Sequence, residues 1–251
     1  MLQHTFPIFY GNRIALVENT TFHFYGSDSK EKFFTNRARL GESWKYYDSL
    51  VQLTYKSDNY GFRNHHSLDV IQHAPYIVTI GCSHTMGTGI HHEDTYSCHL
   101  ENLAGIPVYN MGLGGSSNEV SFLNLVWLLT NFNPPKTIVF QQTGMSRFPL
   151  ISQNKTISFE GPWSAKDNND LRDFMILSDT FGYNNTKFLL LEIMLRQLTT
   201  KHGVNLYAIP DQISVLRANT SCSELARDLV HSGKDFNEFL AKYIWSNISN
   251  K

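Results

Sequence analysis

The stretch that most constrains this chain runs from Pro75 to Gly87 and reads Pro-Tyr-Ile-Val-Thr-Ile-Gly-Cys-Ser-His-Thr-Met-Gly. Residues 76–80 are all aromatic or β-branched, and such a run bounded by Pro75 and Gly81 predicts a strand buried on both faces. The strand stops at a small residue, and Ser83 follows on a tight turn with Gly87 and Gly89 close behind. A hydroxyl placed there stands at the carboxyl end of a central strand, where open α/β sheets carry ligands and catalytic groups. Taken alone, Ser after Gly is ordinary turn chemistry.

The far end of the chain changes that balance. Asp228-Leu229-Val230-His231 sets a carboxylate and an imidazole three residues apart just ahead of a predicted helix, so both side chains can fall on one side of a single turn. A serine needs a base to act as a nucleophile at neutral pH, and the base needs a partner that fixes its tautomer. The order Ser, Asp, His also occurs in α/β-hydrolases. Those proteins carry Gly-x-Ser-x-Gly at the nucleophile, however, and here Thr85 stands at the second glycine.

These residues resemble the SGNH (GDSL-like) hydrolases. Gly81-Cys82-Ser83-His84-Thr85 is similar to the first block of that family, with Cys82 where Asp is usual and Ser83 at the nucleophile. Residues 108–116, Val-Tyr-Asn-Met-Gly-Leu-Gly-Gly-Ser, resemble the second block, which implies an oxyanion glycine at Gly115 or its neighbour Gly114. Asp228 and His231 match the final Asp-x-x-His block. The third block, normally Gly-x-Asn-Asp, should fall at residues 141–147, where its Asn is absent. Residues 60–63, Tyr-Gly-Phe-Arg, look like a lead-in segment seen in some members. The resemblance implies a three-layer α/β/α, flavodoxin-like fold around a mostly parallel sheet of five strands. It further implies a catalytic set of Ser83, Asp228 and His231, with the Ser83 and Gly115 N–H groups as oxyanion donors. Asn118, Thr143 and Arg147 are candidates to replace the missing Asn or to bind substrate.

Composition is compatible with this. A chain of 251 residues can bury a large core in one α/β unit. A net charge of −1 gives no sign of a nucleic-acid or anionic-membrane partner. No apolar run approaches the roughly 20 residues of a membrane span, and residues 1–5 lack a basic region followed by an apolar core. The three cysteines make no disulfide framework and no Cys-x-x-Cys pair, so a reducing, cytoplasmic location is expected. Eleven histidines include the pairs His65-His66 and His91-His92, but adjacent histidines on a strand or helix point to different sides. Surface histidines are the expected reading, with no metal and no cofactor.

In chain order, residues 1–73 predict an N-terminal extension packed on a core that spans residues 74–251. Further strands are expected at 106–111, 136–141 and 204–209. Helices are expected from about 93 to 104, ended by Gly105, and at 118–130, 185–201 and 232–245. Alternating strands and helices give a parallel sheet covered on both faces. The helix at 185–201 carries so broad an apolar stripe that it should be largely buried. Residues 142–183 are too long for an ordinary connection and predict an insertion near the mouth of the site. Cys82 is expected to pack away from His231. Arg147 is either a surface charge or a substrate anchor.

The function so implied is a serine ester hydrolase working through an acyl-enzyme. The expected substrate is a small ester, such as an acetylated carbohydrate. An acyltransferase of the same fold, or a non-catalytic binding protein that keeps it, are the alternatives.

Overall fold

The computed structural model describes residues 7–50, 52–151, 157–166, 168–209 and 220–249. Strands are β1 (Ile8–Phe9), β2 (Ile14–Ala15), β3 (Thr21–Phe22), β4 (Tyr55–Lys56), β5 (Ile77–Ile80), β6 (Val108–Asn110), β7 (Thr137–Gln141), β8 (Phe148–Ile151), β9 (Ile157–Glu160) and β10 (Asn205–Ile209). Helices are α1 (Lys30–Leu40), α2 (Leu68–Ile71), α3 (Ser83–Met86), α4 (Tyr96–Ala104), α5 (Asn118–Asn131), α6 (Asn169–Thr180), α7 (Tyr183–Lys201) and α8 (Lys234–Ile248).

β5 is fully buried and pairs in parallel with β6 on one side and β7 on the other; β10 adds in parallel to β7, giving the order β10-β7-β5-β6. Alternation sorts its side chains into two cores. Ile77 joins Val108, Val139 and Ile209 under Leu100 of α4 and Phe236, Leu240 and Ile244 of α8. Val78 and Ile80 join Tyr109, Ile138 and Phe140 under Val120, Leu125 and Leu128 of α5 and Leu195 of α7. The result is the α/β/α sandwich that a strand apolar on both faces demands. Among the described residues the parallel sheet has four strands, not the five the resemblance implied. From Ser221 to Gly233 the returning chain makes turns and a single isolated bridge, Leu225 to Ser232, so its backbone is spent on the loop that carries Asp228 and His231.

Residues 7–73 spread over the core. The Asn124 side chain of α5 bonds both the N–H and the carbonyl of Ile14, at 2.8 and 2.8 Å. Asn64 does the same to the edge strand, accepting from Asn110 N at 2.6 Å and donating to Asn110 O at 3.0 Å. Edge backbone groups that would otherwise need water are satisfied by these amides.

One expectation about helices changes. α7 is apolar nearly all round, yet it buries only Asn184, Leu191, Leu195 and Thr199, while Leu189, Leu190, Ile193 and Met194 are exposed. Its packing partners among the described residues, α5, α6 and β10, cover one face, so a broad stripe did not translate into full burial. Residues 142–183, expected as an insertion, contain the β8-β9 hairpin and α6, whose start is capped by the Asn168 side chain accepting from Leu171 N.

Candidate active site

The turn after β5 is shaped by close approach. A side chain at Gly81 would meet Thr85 Oγ1 at 2.5 Å, and one at Gly112 would meet the Met86 nitrogen at 2.3 Å, so both positions accept only glycine. The chain therefore bends sharply at Gly81-Cys82, and Ser83 opens the one-turn helix α3 at the carboxyl end of the sheet.

Ser83 meets the other end of the molecule there. Its Oγ lies 2.7 Å from His231 Nε2, and His231 Nδ1 lies 2.6 Å from Asp228 Oδ2. The second carboxylate oxygen, Oδ1, accepts from the Val230 and His231 N–H groups, each at 3.0 Å. Leu229 has φ of +55°, a left-handed conformation rare for a branched residue, which turns the carboxylate and the imidazole onto one side. Burial alone would raise the Asp228 carboxyl. The His231 hydrogen bond and charge, the Ser27 hydroxyl and the His231 N–H outweigh it, and the group is held well below the usual carboxylate range.

Ser27 was not anticipated. Its hydroxyl donates to Asp228 Oδ2 at 2.6 Å and lies 3.5 Å from His231 Nδ1. Arg227, next to Asp228, is fully buried and donates to Asp28 Oδ1 at 2.9 Å and Oδ2 at 2.6 Å, to the Ser49 carbonyl at 2.7 Å and to the His23 carbonyl. Its guanidinium lies between Phe24 and Phe33. Arg63 is equally buried and donates to the carbonyls of Met86, Gly87, Ile90 and Thr54, holding the loop that follows α3. A signal for Arg227 was present in the sequence, a charge directly beside the Asp-x-x-His block. Ser27 and Asp28 carried none, since their partners lie some two hundred positions away.

A cleft of about 740 Å³ opens over the serine. Tyr25, Phe159, Trp163 and Val230 form apolar walls, Ser27, Ser83, Thr88, Ser158, His231 and Arg147 are its polar side chains, and Gly115 lines it with backbone. Gly115 has φ of +78°, and Tyr25 packs so tightly on Gly114 that a side chain there would meet its ring at 2.4 Å. Arg147 stacks its guanidinium 5.1 Å from the Trp163 ring centre, and its Nη1 is buried with no hydrogen-bond partner among the described residues. Asn118 and Thr143 are buried and bonded to each other, the amide accepting from Thr143 N at 2.9 Å and donating to Thr143 O at 2.8 Å.

Cys82 is buried and directed at Gln141, whose Nε2 lies 3.4 Å from the sulfur, and its Sγ lies 3.9 Å from Ser83 Oγ. Burial opposes its thiolate, yet the Arg147 charge, the His84 N–H, Gln141 and Ser83 together lower its pKa. Gln141 also accepts from Thr85 Oγ1 at 2.6 Å, so the last residue of β7 braces the nucleophile turn where the missing third-block Asn would have followed.

The His65-His66 pair departs from expectation. His65 and His66 lie in a bend, not a strand or helix, so alternation does not separate them, and both reach Glu101. His92 faces His65 as well.

Fold and site define an α/β/α protein whose central strand delivers a serine to a histidine-aspartate pair. No protein-family model matches this chain, and no curated protein matches it. Among solved structures it is similar to a member of the lipolytic protein G-D-S-L family from Veillonella parvula, at 13% identity over 71% of this chain and 100% of that one, with a TM-score of 0.38. It is also similar to the psychrotrophic esterase EstA from Pseudoalteromonas, at 11% identity over 70% of this chain and 98% of that one, TM-score 0.39. A third is the acetyl xylan esterase Est2A from the rumen bacterium Butyrivibrio proteoclasticus, at 11% identity over 70% and 64%, TM-score 0.38. At such identities the chain's own residues carry the functional argument.

Proposed function

We propose that this protein is a serine ester hydrolase that cleaves a short acyl group, such as acetyl, from a carbohydrate or another small ester. The observation that carries the reading is the unbroken chain from Ser83 Oγ through His231 to Asp228, at 2.7 and 2.6 Å. His231 Nε2 takes the Ser83 proton as Oγ attacks the ester carbonyl. Asp228 holds the Nδ1–H tautomer and stabilises the imidazolium without itself taking the proton. The N–H groups of Ser83 and Gly115 receive the tetrahedral oxyanion. Collapse expels the alcohol, which leaves with the proton from Nε2. Water, deprotonated by the same nitrogen, then attacks the acyl-serine and releases the carboxylic acid.

The cleft supports a small substrate. Its volume is in the range of roughly 300–1,000 Å³ ordinary for small-molecule sites. Trp163 and Phe159 offer flat apolar faces beside the serine, suited to a sugar ring. Arg147 is the cationic group on the same wall, so a polar or anionic leaving group is accommodated there.

Hydrolysis of aryl acetate, butyrate and octanoate esters tests the reading. Acetate is expected to be cleaved fastest, and Ser83→Ala should abolish turnover. No hydrolysis of any of the three by folded wild-type protein would refute the proposal.

A further inference from the structure

Away from the cleft, three histidines, a cysteine and a glutamate converge beside the edge strand β6. His65 and His66 come from the bend after Arg63, His92 from the turn before α4, and Cys98 and Glu101 from α4 itself. His65 engages both ring nitrogens: Nδ1 lies 2.7 Å from His92 Nε2, and Nε2 lies 3.1 Å from Glu101 Oε1. The other Glu101 oxygen is held by His66 Nε2 and by the Val108 N–H, each at 2.8 Å. Ligand atoms of His65, His92 and Cys98 all lie within 4.8 Å of one another, as do those of His65, His66 and Glu101.

We propose that His65, His92 and Cys98 bind one divalent transition metal of the zinc type, with Glu101 as the outer carboxylate that orients His65. Two imidazoles and a thiolate are a donor set that favours zinc over magnesium or calcium. Around a tetrahedral zinc at ordinary bond lengths, ligand atoms stand roughly 3.4–3.7 Å apart. Closing the cluster on an ion therefore takes side-chain adjustments of about an ångström, outward for the two imidazoles.

Glu101 separates the two trios into an inner and an outer set. It is already anchored by the β6 backbone, so it takes the His65 Nε2–H and leaves the Nδ1 lone pair facing His92. A ligating histidine that donates its other N–H to a carboxylate is the usual outer arrangement of such sites. Arg63 is the nearby positive charge, and its Nη donors are turned onto backbone carbonyls; the Cys98 thiolate and Glu101 supply two negative charges against it and the ion.

The competing account is a metal-free hydrogen-bond chain from His92 to His65 to Glu101. It explains the nitrogen contacts and leaves the Cys98 side chain hydrogen-bonded to Thr95. Cobalt(II) added to untagged, chelator-stripped protein distinguishes the two. One ion per chain is expected, with a thiolate-to-cobalt charge-transfer band displaced by Zn²⁺. Cys98→Ser should lose the band and Cys222→Ser should keep it. Glu101→Gln should weaken Zn²⁺ binding by about 10- to 100-fold. Zn²⁺ should raise the Tm of wild type but not of His65→Ala, a change at a largely exposed ring that spares the fold. Absence of the band in wild type, or equal Zn²⁺ affinity in wild type, Cys98→Ser and His65→Ala, would overturn the site.

Discussion

Asp228 is oriented from three directions, and its partners divide the work differently from a simple triad. Two N–H groups hold Oδ1, while His231 and the Ser27 hydroxyl share Oδ2. In Asp228→Asn the Ser27 oxygen, 3.5 Å from Nδ1, can accept the imidazole proton in place of the lost carboxylate. The expected loss in kcat/KM is about 10²-fold for Asp228→Asn, against about 10³-fold or more for His231→Ala. Ser27→Ala removes one hydrogen bond to a charged group and should cost roughly tenfold. Equal, near-total losses in all three would contradict this division. The depressed Asp228 carboxyl also fixes a sign. Its ionised form is favoured by folding, so its contribution to stability is present above the ordinary carboxylate pKa of about 3.9 and is lost as pH falls below it. The stability gap between wild type and Asp228→Asn, measured by urea unfolding, should therefore narrow as pH drops from 5 toward about 3. A gap that widened would be the wrong sign. Ser83, Asp228 and His231 were legible because each sits in a short block with its own local chemistry. Ser27 was not, because a serine in a turn carries no trace of a partner it meets only through the fold.

At the scale of elements, the sheet was legible and the helix exposure was not. β5 announced itself through an unbroken apolar run, and its two faces fill two separate cores. α7 shows the limit of the same reasoning. Its apolar residues run round the helix, but only the covered face contributes to stability. Leu195→Ala, at 5% exposure, should cost about 2–4 kcal/mol, whereas Leu190→Ala, at 55% exposure, should change stability by no more than about 0.5 kcal/mol. Chemical denaturation of the two variants checks this, and equal costs would mean that the outer face of α7 is covered. Histidine pairing failed for a related reason. The rule that neighbours diverge belongs to regular elements, and His65 and His66 lie in a bend.

At the scale of the whole molecule, the segment before β5 helps to build the site. His23, Phe24, Asp28, Phe33 and Ser49 clasp the Arg227 side chain, and Ser27 rests on Asp228. Asp28→Ala leaves the Arg227 guanidinium buried without its counter-charge, a change expected to cost about 3–5 kcal/mol. Turnover per folded molecule should fall with it as the 227–231 loop loses its anchor. Unchanged stability and activity would show that the clasp is dispensable. The central claim, however, is that this architecture makes one oxygen nucleophilic, and it is tested most directly by locating a covalent adduct. Treated with a fluorophosphonate, the wild-type protein should carry one label, found by peptide mass spectrometry on Ser83. The label should persist in Cys82→Ala and vanish in Ser83→Ala and in His231→Ala. A folded wild type that takes no label, or one whose label sits on Cys82 and disappears with Cys82→Ala, would contradict the account.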